Sequence, residues 1–188
     1  QQPWNVVVTG IGGTGVLTVT ALVAMAAHIE GKGCSTMNQT GLAQKFGSVV
    51  SHVRVGLNQK AINAVRIPAG DADLLLGCDL VVAAGDEAMA KVNEERSHAI
   101  INATESVTAA FINNPDTVFP RDEMMQTINN EVGKDKVSFI DASVIATNLL
   151  GDSIASNLFL LGYAYQSSLI PVSAEAINEA IGLNGVAV

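Results

Sequence analysis

The strongest constraint on the fold lies in the first thirty residues, where the β-branched run Val6-Val7-Val8 meets Thr9-Gly10-Ile11-Gly12-Gly13-Thr14-Gly15 and an Ala-rich segment follows to Ile29. A strand, a glycine turn and a helix are predicted in that order. Such a turn lets the backbone fold sharply without Cβ clashes and gathers the free N–H groups of the helix start at one point, where an anion can sit. Gly10, Gly12 and Gly15 match the spacing GxGxxG, and Gly13 is a further small residue that permits close backbone approach. The spacing alone is a weak signal; its place between a strand and a helix gives it weight. The competing reading is a helix packed tightly on its strand, the glycines serving packing and binding no ligand.

A dinucleotide site of this type adds an acid about 20 residues on, at the end of the second strand, to hold the ribose hydroxyls. The second strand is predicted near Cys34-Ser35-Thr36-Met37, after Gly31-Lys32-Gly33, and Asn38, Gln39 and Thr40 follow it. Glu30 belongs to the preceding helix end. The missing acid counts against NAD, FAD and S-adenosylmethionine together, and leaves Asn38 to hydrogen-bond something neutral.

With 188 residues, 48% of them hydrophobic, the chain can bury one core of ordinary size, and no stretch reads as a linker. Strand-like runs at Asn5–Thr9, Val49–Val55, Leu80–Ala84, Ala99–Ala103 and Val137–Ile140 alternate with helix-like ones. That alternation predicts an α/β domain over residues 1–188, Rossmann-like and doubly wound, with a mostly parallel sheet covered by helices on both faces. The unbroken apolarity of Leu80-Val81-Val82-Ala83-Ala84 suits a central strand. Val16–Ile29 is apolar nearly all round but too short to span a bilayer core of about 30 Å, so it reads as a buried helix. The first residues, Gln1-Gln2-Pro3-Trp4, carry no initiator Met or signal peptide, and the apolar end at Val188 has no cap; both suggest a domain of a longer polypeptide.

Cys34 and Cys78 stand far apart in apolar surroundings and read as small core residues, which fits a reducing, cytoplasmic setting. There is no iron–sulfur run, and His28, His52 and His98 lack metal-ligand spacing, so no metal site is expected. Residues 1–70 hold five bases and one acid, residues 71–188 five bases and seventeen acids, giving the chain its net charge of −8. The acidic half argues against nucleic acid, and the acid-poor half, which carries the glycine turn, favours an anionic ligand. The competing reading of that split is one mixed surface.

Thr40-Gly41-Leu42-Ala43-Gln44-Lys45-Phe46-Gly47-Ser48 reads as a loop returning to the sheet, where Gln44 and Lys45 can complete the site. Farther on, Ile140-Asp141-Ala142-Ser143 reads as a strand end entering a helix up to Leu150, a second helix is predicted from a Ser153 cap through Gln166, and a last from Ala174 to Ile181. Leu158, Leu161, Tyr165 and Leu169 recur at helical spacing as core or interface, with Gly162 permitting close helix contact.

Taken together, Gly10-x-Gly12-Gly13-Thr14-Gly15-Val16, Thr40-Gly41-Leu42-Ala43-Gln44-Lys45, Ser51-His52-Val53-Arg54, Leu75-x-Gly77-Cys78-Asp79-Leu80-Val81-Val82-Ala83-Ala84 and Gly162-Tyr163-Ala164-Tyr165-Gln166 resemble the gamma-type domain of 2-oxoacid:ferredoxin oxidoreductases. The resemblance covers almost the whole chain and is nearest the indolepyruvate-using members. Thr14 resembles the fused form, where separate subunits carry Gln. Phe46 stands where the family has the first of two glycines after the basic residue.

The resemblance implies a domain of an enzyme that oxidatively decarboxylates an aryl-pyruvate to its acyl-CoA and passes electrons to ferredoxin. Thiamine diphosphate, Mg and 4Fe-4S clusters would lie elsewhere in the holoenzyme and carry the chemistry. Gly85-Asp86-Glu87 with Asn113-Asn114 resembles part of a thiamine motif, but Glu87 replaces its second glycine, so the match reads as coincidence and Asp86 as a carboxylate at a strand mouth. This chain is expected to be inactive alone, to hold no catalytic residue, and to pair as a dimer with the other domains or subunits. Its ligand-facing residues are Gly10, Gly12, Gly13, Thr14, Gly15, Asn38, Thr40, Gly41, Gln44 and Lys45, with coenzyme A as the anion; the family role permits both assembly and closure over coenzyme A. The alternatives are a stand-alone nucleotide-dependent dehydrogenase and an assembly module that binds nothing.

Overall fold

A computed structural model describes residues 2–40, 47–104 and 119–185. The elements run β1 (Trp4–Ile11), α1 (Val16–Ile29), β2 (Gly33–Thr40), β3 (Ser48–Gly56), β4 (Leu74–Gly77), α2 (Leu80–Ala83), α3 (Asp86–Met89), β5 (His98–Asn102), α4 (Arg121–Val132), β6 (Val137–Ile140), α5 (Ala142–Leu150), α6 (Ser156–Gln166) and α7 (Ala174–Asn184). The six strands form one sheet in the order β2-β3-β1-β4-β5-β6. β4 pairs in parallel with β1 and β5, and β5 with β6, whereas β3 is antiparallel to both β1 and β2. Five strands thus share one direction, and the expected mostly parallel α/β sheet is present.

Side-chain alternation builds two cores. Val6, Val8, Leu74, Leu76 and Ile100 point to the face covered by α1, α6 and α7, where Val19, Val23 and Leu161 meet them. Val7, Leu75, Ala99 and Ile101 point to the other face, against Leu80, Ala83 and the α4 residues Ile128 and Val132. The interior strands β1, β4 and β5 bury apolar groups on both sides, as a sheet sandwiched between helices requires.

Three expectations are corrected. Leu80–Ala84 is not a strand: the central strand is Leu74–Gly77, and Leu80–Ala83 forms α2. Asp79 decides this, because its Oδ1 accepts from Val82 N at 2.9 Å and caps a helix start. An apolar run of that length fits a buried helix turn as well as a buried strand. Likewise Asp86 opens the exposed turn of α3 and is not at a strand mouth. Ser153 begins a 3-10 turn, Ser153–Ala155, and α6 follows without a side-chain cap.

At the N-terminal ends of the parallel strands, Arg96 donates to Asp73 at 2.6 and 2.9 Å and to Asp71 at 2.5 Å. Asp73 accepts in turn from Asn5 N, while Asn5 Oδ1 accepts from Arg54 Nε. This network closes the end of the sheet opposite the glycine turn.

Candidate functional site

The sheet order places a topological switch between β1 and β4: α1 carries the chain from β1 toward the β2–β3 side, and the segments after β4 carry it toward β5 and β6. Crevices form where neighbouring strands send their connections to opposite sides, at the carboxyl ends. A cavity of about 760 Å³ opens there, lined by Ile11, Gly13, Thr14, Gly15, Thr18 and Val19 from the glycine turn and α1, Cys78 and Asp79 after β4, Asn102 and Thr104 after β5, Ser143 of α5, and Asp152, Ser153, Ser156, Asn157 and Leu158.

The local sequence explains the turn. A Cβ on Gly10 would lie 2.5 Å from Val16 Cγ2, so only glycine lets α1 pack this close to β1. Gly13 and Gly15 have φ of 87° and 86°, in the left-handed region that L side chains avoid. Thr14 N and Oγ1 both donate to Ile11 O, and Gly12 N donates to Gly47 O at 2.8 Å, tying the turn to the approach of β3. No acid stands in the first turn of α1, so its positive end is not neutralised from within the helix.

Two asparagines hold the crevice walls together. Asn102, buried at the end of β5, donates from Nδ2 to Cys78 O at 3.3 Å and to Ser143 Oγ at 3.0 Å, and its Oδ1 accepts from Thr104 N and Ala142 N. All four hydrogen-bonding positions of that amide are used. Asn157 of α6, only 5% exposed, donates to Thr14 O at 2.7 Å and braces the glycine turn from across the crevice. Cys78 is walled in, and burial together with Asp79 pushes its thiol up to about 12; burial raises Cys34 to about 11. Neither thiol is suited to nucleophilic work near neutral pH.

Of the residues singled out from sequence, Gly13, Thr14 and Gly15 line the cavity. Gly10 lies beneath Val16, and Gly12 serves the turn. Asn38 and Thr40 are exposed on β2 and not in the lining, a correction with a plain cause: antiparallel β3 sits between β2 and β1, moving the end of the second strand one strand away. Gly41, Gln44, Lys45, Phe46, Asn113 and Asn114 lie outside the described residues. The acid-poor half, read as favouring an anionic ligand, sets no base in the described part of the crevice lining. The described lining holds Asp79 and Asp152 and no Lys or Arg. Lys32 pairs with Glu30 at 2.6 Å, Arg54 is spent on Asn5 and Ala64 O, and Lys60 and Arg66 are exposed on the segment between β3 and β4. What the described crevice offers an anion is backbone N–H groups and the α1 dipole.

Sequence reasoning missed Asn102, Asp79, Ser143 and Asn157. Asn102 carried a usable signal, a polar residue ending the apolar run Ala99-Ile100-Ile101; Asn157 carried none. Among the described residues no group of three His, Cys, Asp or Glu side chains could hold a metal ion, and no helix is long and apolar enough to cross a membrane.

Relatives give this geometry its context. The family model described as pyruvate ferredoxin/flavodoxin oxidoreductase matches residues 5–184. Indolepyruvate oxidoreductase subunit IorB of Pyrococcus horikoshii is 29% identical over 185 residues, 98% of this chain and 87% of that protein. The subunit of the same name from Archaeoglobus fulgidus is 31% identical over 181 residues, 94% of this chain and 83% of its own length. Pyruvate oxidoreductase subunit PORC of Thermotoga maritima shares the fold with a TM-score of 0.65 at 17% identity, covering 98% of this chain and 86% of that one. The 2-oxoglutarate:ferredoxin oxidoreductase of Magnetococcus marinus, solved with 2-oxoglutarate, coenzyme A and succinyl-CoA bound, does so with a TM-score of 0.68 at 16% identity, over 98% of this chain and 27% of that longer one. The match over nearly every described element shows that this chain belongs to the pyruvate ferredoxin/flavodoxin oxidoreductase family, and that it is a component of an oxidoreductase.

Proposed function

We propose that this chain is the gamma-type component of an indolepyruvate:ferredoxin oxidoreductase, and that its crevice receives an anionic group of coenzyme A at the glycine turn. The observation that carries the substrate class is the alignment with IorB subunits along almost the whole chain. What supports the ligand is the unneutralised N-terminus of α1 opening into a cavity of cofactor size, in a fold that a coenzyme A-bound enzyme shares. The stand-alone dehydrogenase reading fares worse, because the relatives aligned along almost the whole chain are named as oxidoreductase subunits.

In this reading thiamine diphosphate and iron–sulfur clusters, held by the other components, would supply the acyl-forming and electron-transfer chemistry, with ferredoxin as acceptor in a dimeric cytoplasmic assembly. This chain binds and orients. Gly13 and Gly15 present amides, Thr18 and Ser156 add hydroxyls, and Asn102 keeps three strand ends in register around them.

The test is steady-state turnover of the co-expressed holoenzyme with indolepyruvate, pyruvate and 2-oxoglutarate, following ferredoxin reduction as coenzyme A is varied. Coenzyme A-dependent turnover fastest on indolepyruvate is expected; its absence overturns the reading. Thr18→Glu keeps a residue suited to a helix N-terminus but sets a carboxylate in the crevice, and is expected to raise KM for coenzyme A about tenfold, a cost of about 1.4 kcal/mol.

A further inference from the structure

A second concavity, of about 500 Å³, lies between α6 and α7 on the outer side of α6 from the crevice, lined by Leu158, Phe159, Gly162, Tyr163, Tyr165, Ile177 and Ile181 among others. The chain has only eight aromatic residues, and both of its tyrosines are here, together with Phe159. Tyrosine is the residue type most favoured where another polypeptide seats, since it offers a large rigid apolar area with a polar tip.

Gly162 makes a separate argument. It stands in the middle of α6, where glycine weakens a helix relative to alanine. A Cβ at this position would meet nothing within 4 Å, and the residue is exposed. Nothing inside the fold requires a glycine there. The open space leaves room for close approach of a body from outside.

The surroundings state the charge of that body. No Lys, Arg or His occurs after Lys136, while residues 137–188 hold Asp141, Asp152, Glu175 and Glu179. Glu175 and Glu179 are exposed on α7, each next in sequence to a lining residue, Ala174 and Asn178. An apolar floor with Glu175 and Glu179 exposed along α7, and Lys32 only at the Pro171 end where Glu30 pairs with it, favours an apolar ridge flanked by cations and repels one flanked by acids.

We propose that the α6–α7 groove seats an apolar helix ridge flanked by Lys or Arg, carried by another subunit or domain of the same oxidoreductase. The proposal rests on the component role given under the proposed function. It separates the molecule into two working surfaces on either side of α6, the crevice for the anion and the groove for assembly.

Carbodiimide coupling of the assembled holoenzyme, read by mass spectrometry, joins carboxylates to amines in direct contact. Cross-links from Glu175 or Glu179 to lysines of a different component are expected. Gly162→Trp fills the groove without touching the domain's own packing, so the isolated chain should melt within about two degrees of wild type while recovery of assembled enzyme falls at least tenfold. Wild-type assembly of Gly162→Trp overturns the proposal, as do cross-links only to a second copy of this chain or equal carboxylate labelling in the free and assembled forms. A Gly162→Trp chain that melts far below wild type also counts against it, because the groove would then be part of the core. Thr18→Glu is expected to leave assembly at wild-type yield, so failure at the crevice and failure at the groove are told apart.

Discussion

The Thr14 carbonyl accepts from Asn157 Nδ2 at 2.7 Å, and because a trans peptide sets its C=O and N–H in opposite directions, the same bond fixes where Gly15 N–H points. Asn157→Ala removes that constraint. The expected outcome is a loss of about 1–2 kcal/mol in urea denaturation and a several-fold rise in KM for coenzyme A with kcat held within about twofold, the pattern of a lost positioning contact. His52 shows a residue whose state the packing dictates. It is fully buried, Ile67 N donates to its Nδ1 at 3.1 Å, and Nε2 lies 2.9 Å from Gln39 Oε1, so Nε2 carries the proton and the ring is neutral. Burial, then the charges of Lys91 and Arg66, lower its pKa from 6.5 to about 4. Between those values the unfolded chain binds the extra proton and the folded one does not, so this contribution to stability is complete above pH 6.5 and lost as pH falls through 4. Denaturation midpoints measured from pH 7 to pH 4 should fall, and His52→Gln should flatten that part of the curve. The structural role of His52 was legible in its apolar strand; Asn157 was not, since its partner lies 143 residues away.

At the scale of elements, α2 turns on one side chain. Asp79→Ala removes the cap on Val82 N and is expected to cost about 1 kcal/mol, a melting shift of a few degrees, while Asp79→Asn retains most of it. That capping oxygen is what the unbroken run Leu80–Ala84 concealed: apolarity without period cannot separate a buried strand from a buried helix turn. Elements with distinct local chemistry were legible to within a few residues. β1 and β3 are β-branched, α1 follows a glycine turn that only glycine can make, and β6 and α5 meet at Asp141 where the apolar run gives way to helix formers.

Over the whole molecule, β1, β4 and β5 are interior strands covered on both faces, whereas β2 and β6 form the edges and are only partly buried. Opening an interior strand exposes both cores, so amide exchange should be slowest in β4 and β1 and faster by orders of magnitude in β2 and β6; equal protection in β2 and β4 would contradict the strand order. The same order explains why the candidate site was half legible. Gly13, Thr14 and Gly15 announced themselves because left-handed torsions and close strand–helix approach are properties of a few consecutive residues. Asn38 was misplaced because nothing in its neighbourhood says that β3 will insert antiparallel between β1 and β2. Of the basic residues of the first seventy, Lys32, Arg54, Lys60 and Arg66 scatter to Glu30, Asn5 and the exposed segment before β4, although they are grouped in sequence. The sequence by itself determined the local units, namely the strand–turn–helix, most of the strands and the family signature, because torsional limits and hydrophobic period act over short spans of chain. Only the tertiary structure decided the strand order, the charge of the crevice and the joining of Asn102 and Asn157 to the turn, because those follow from contacts between residues far apart in the chain, which no local pattern encodes.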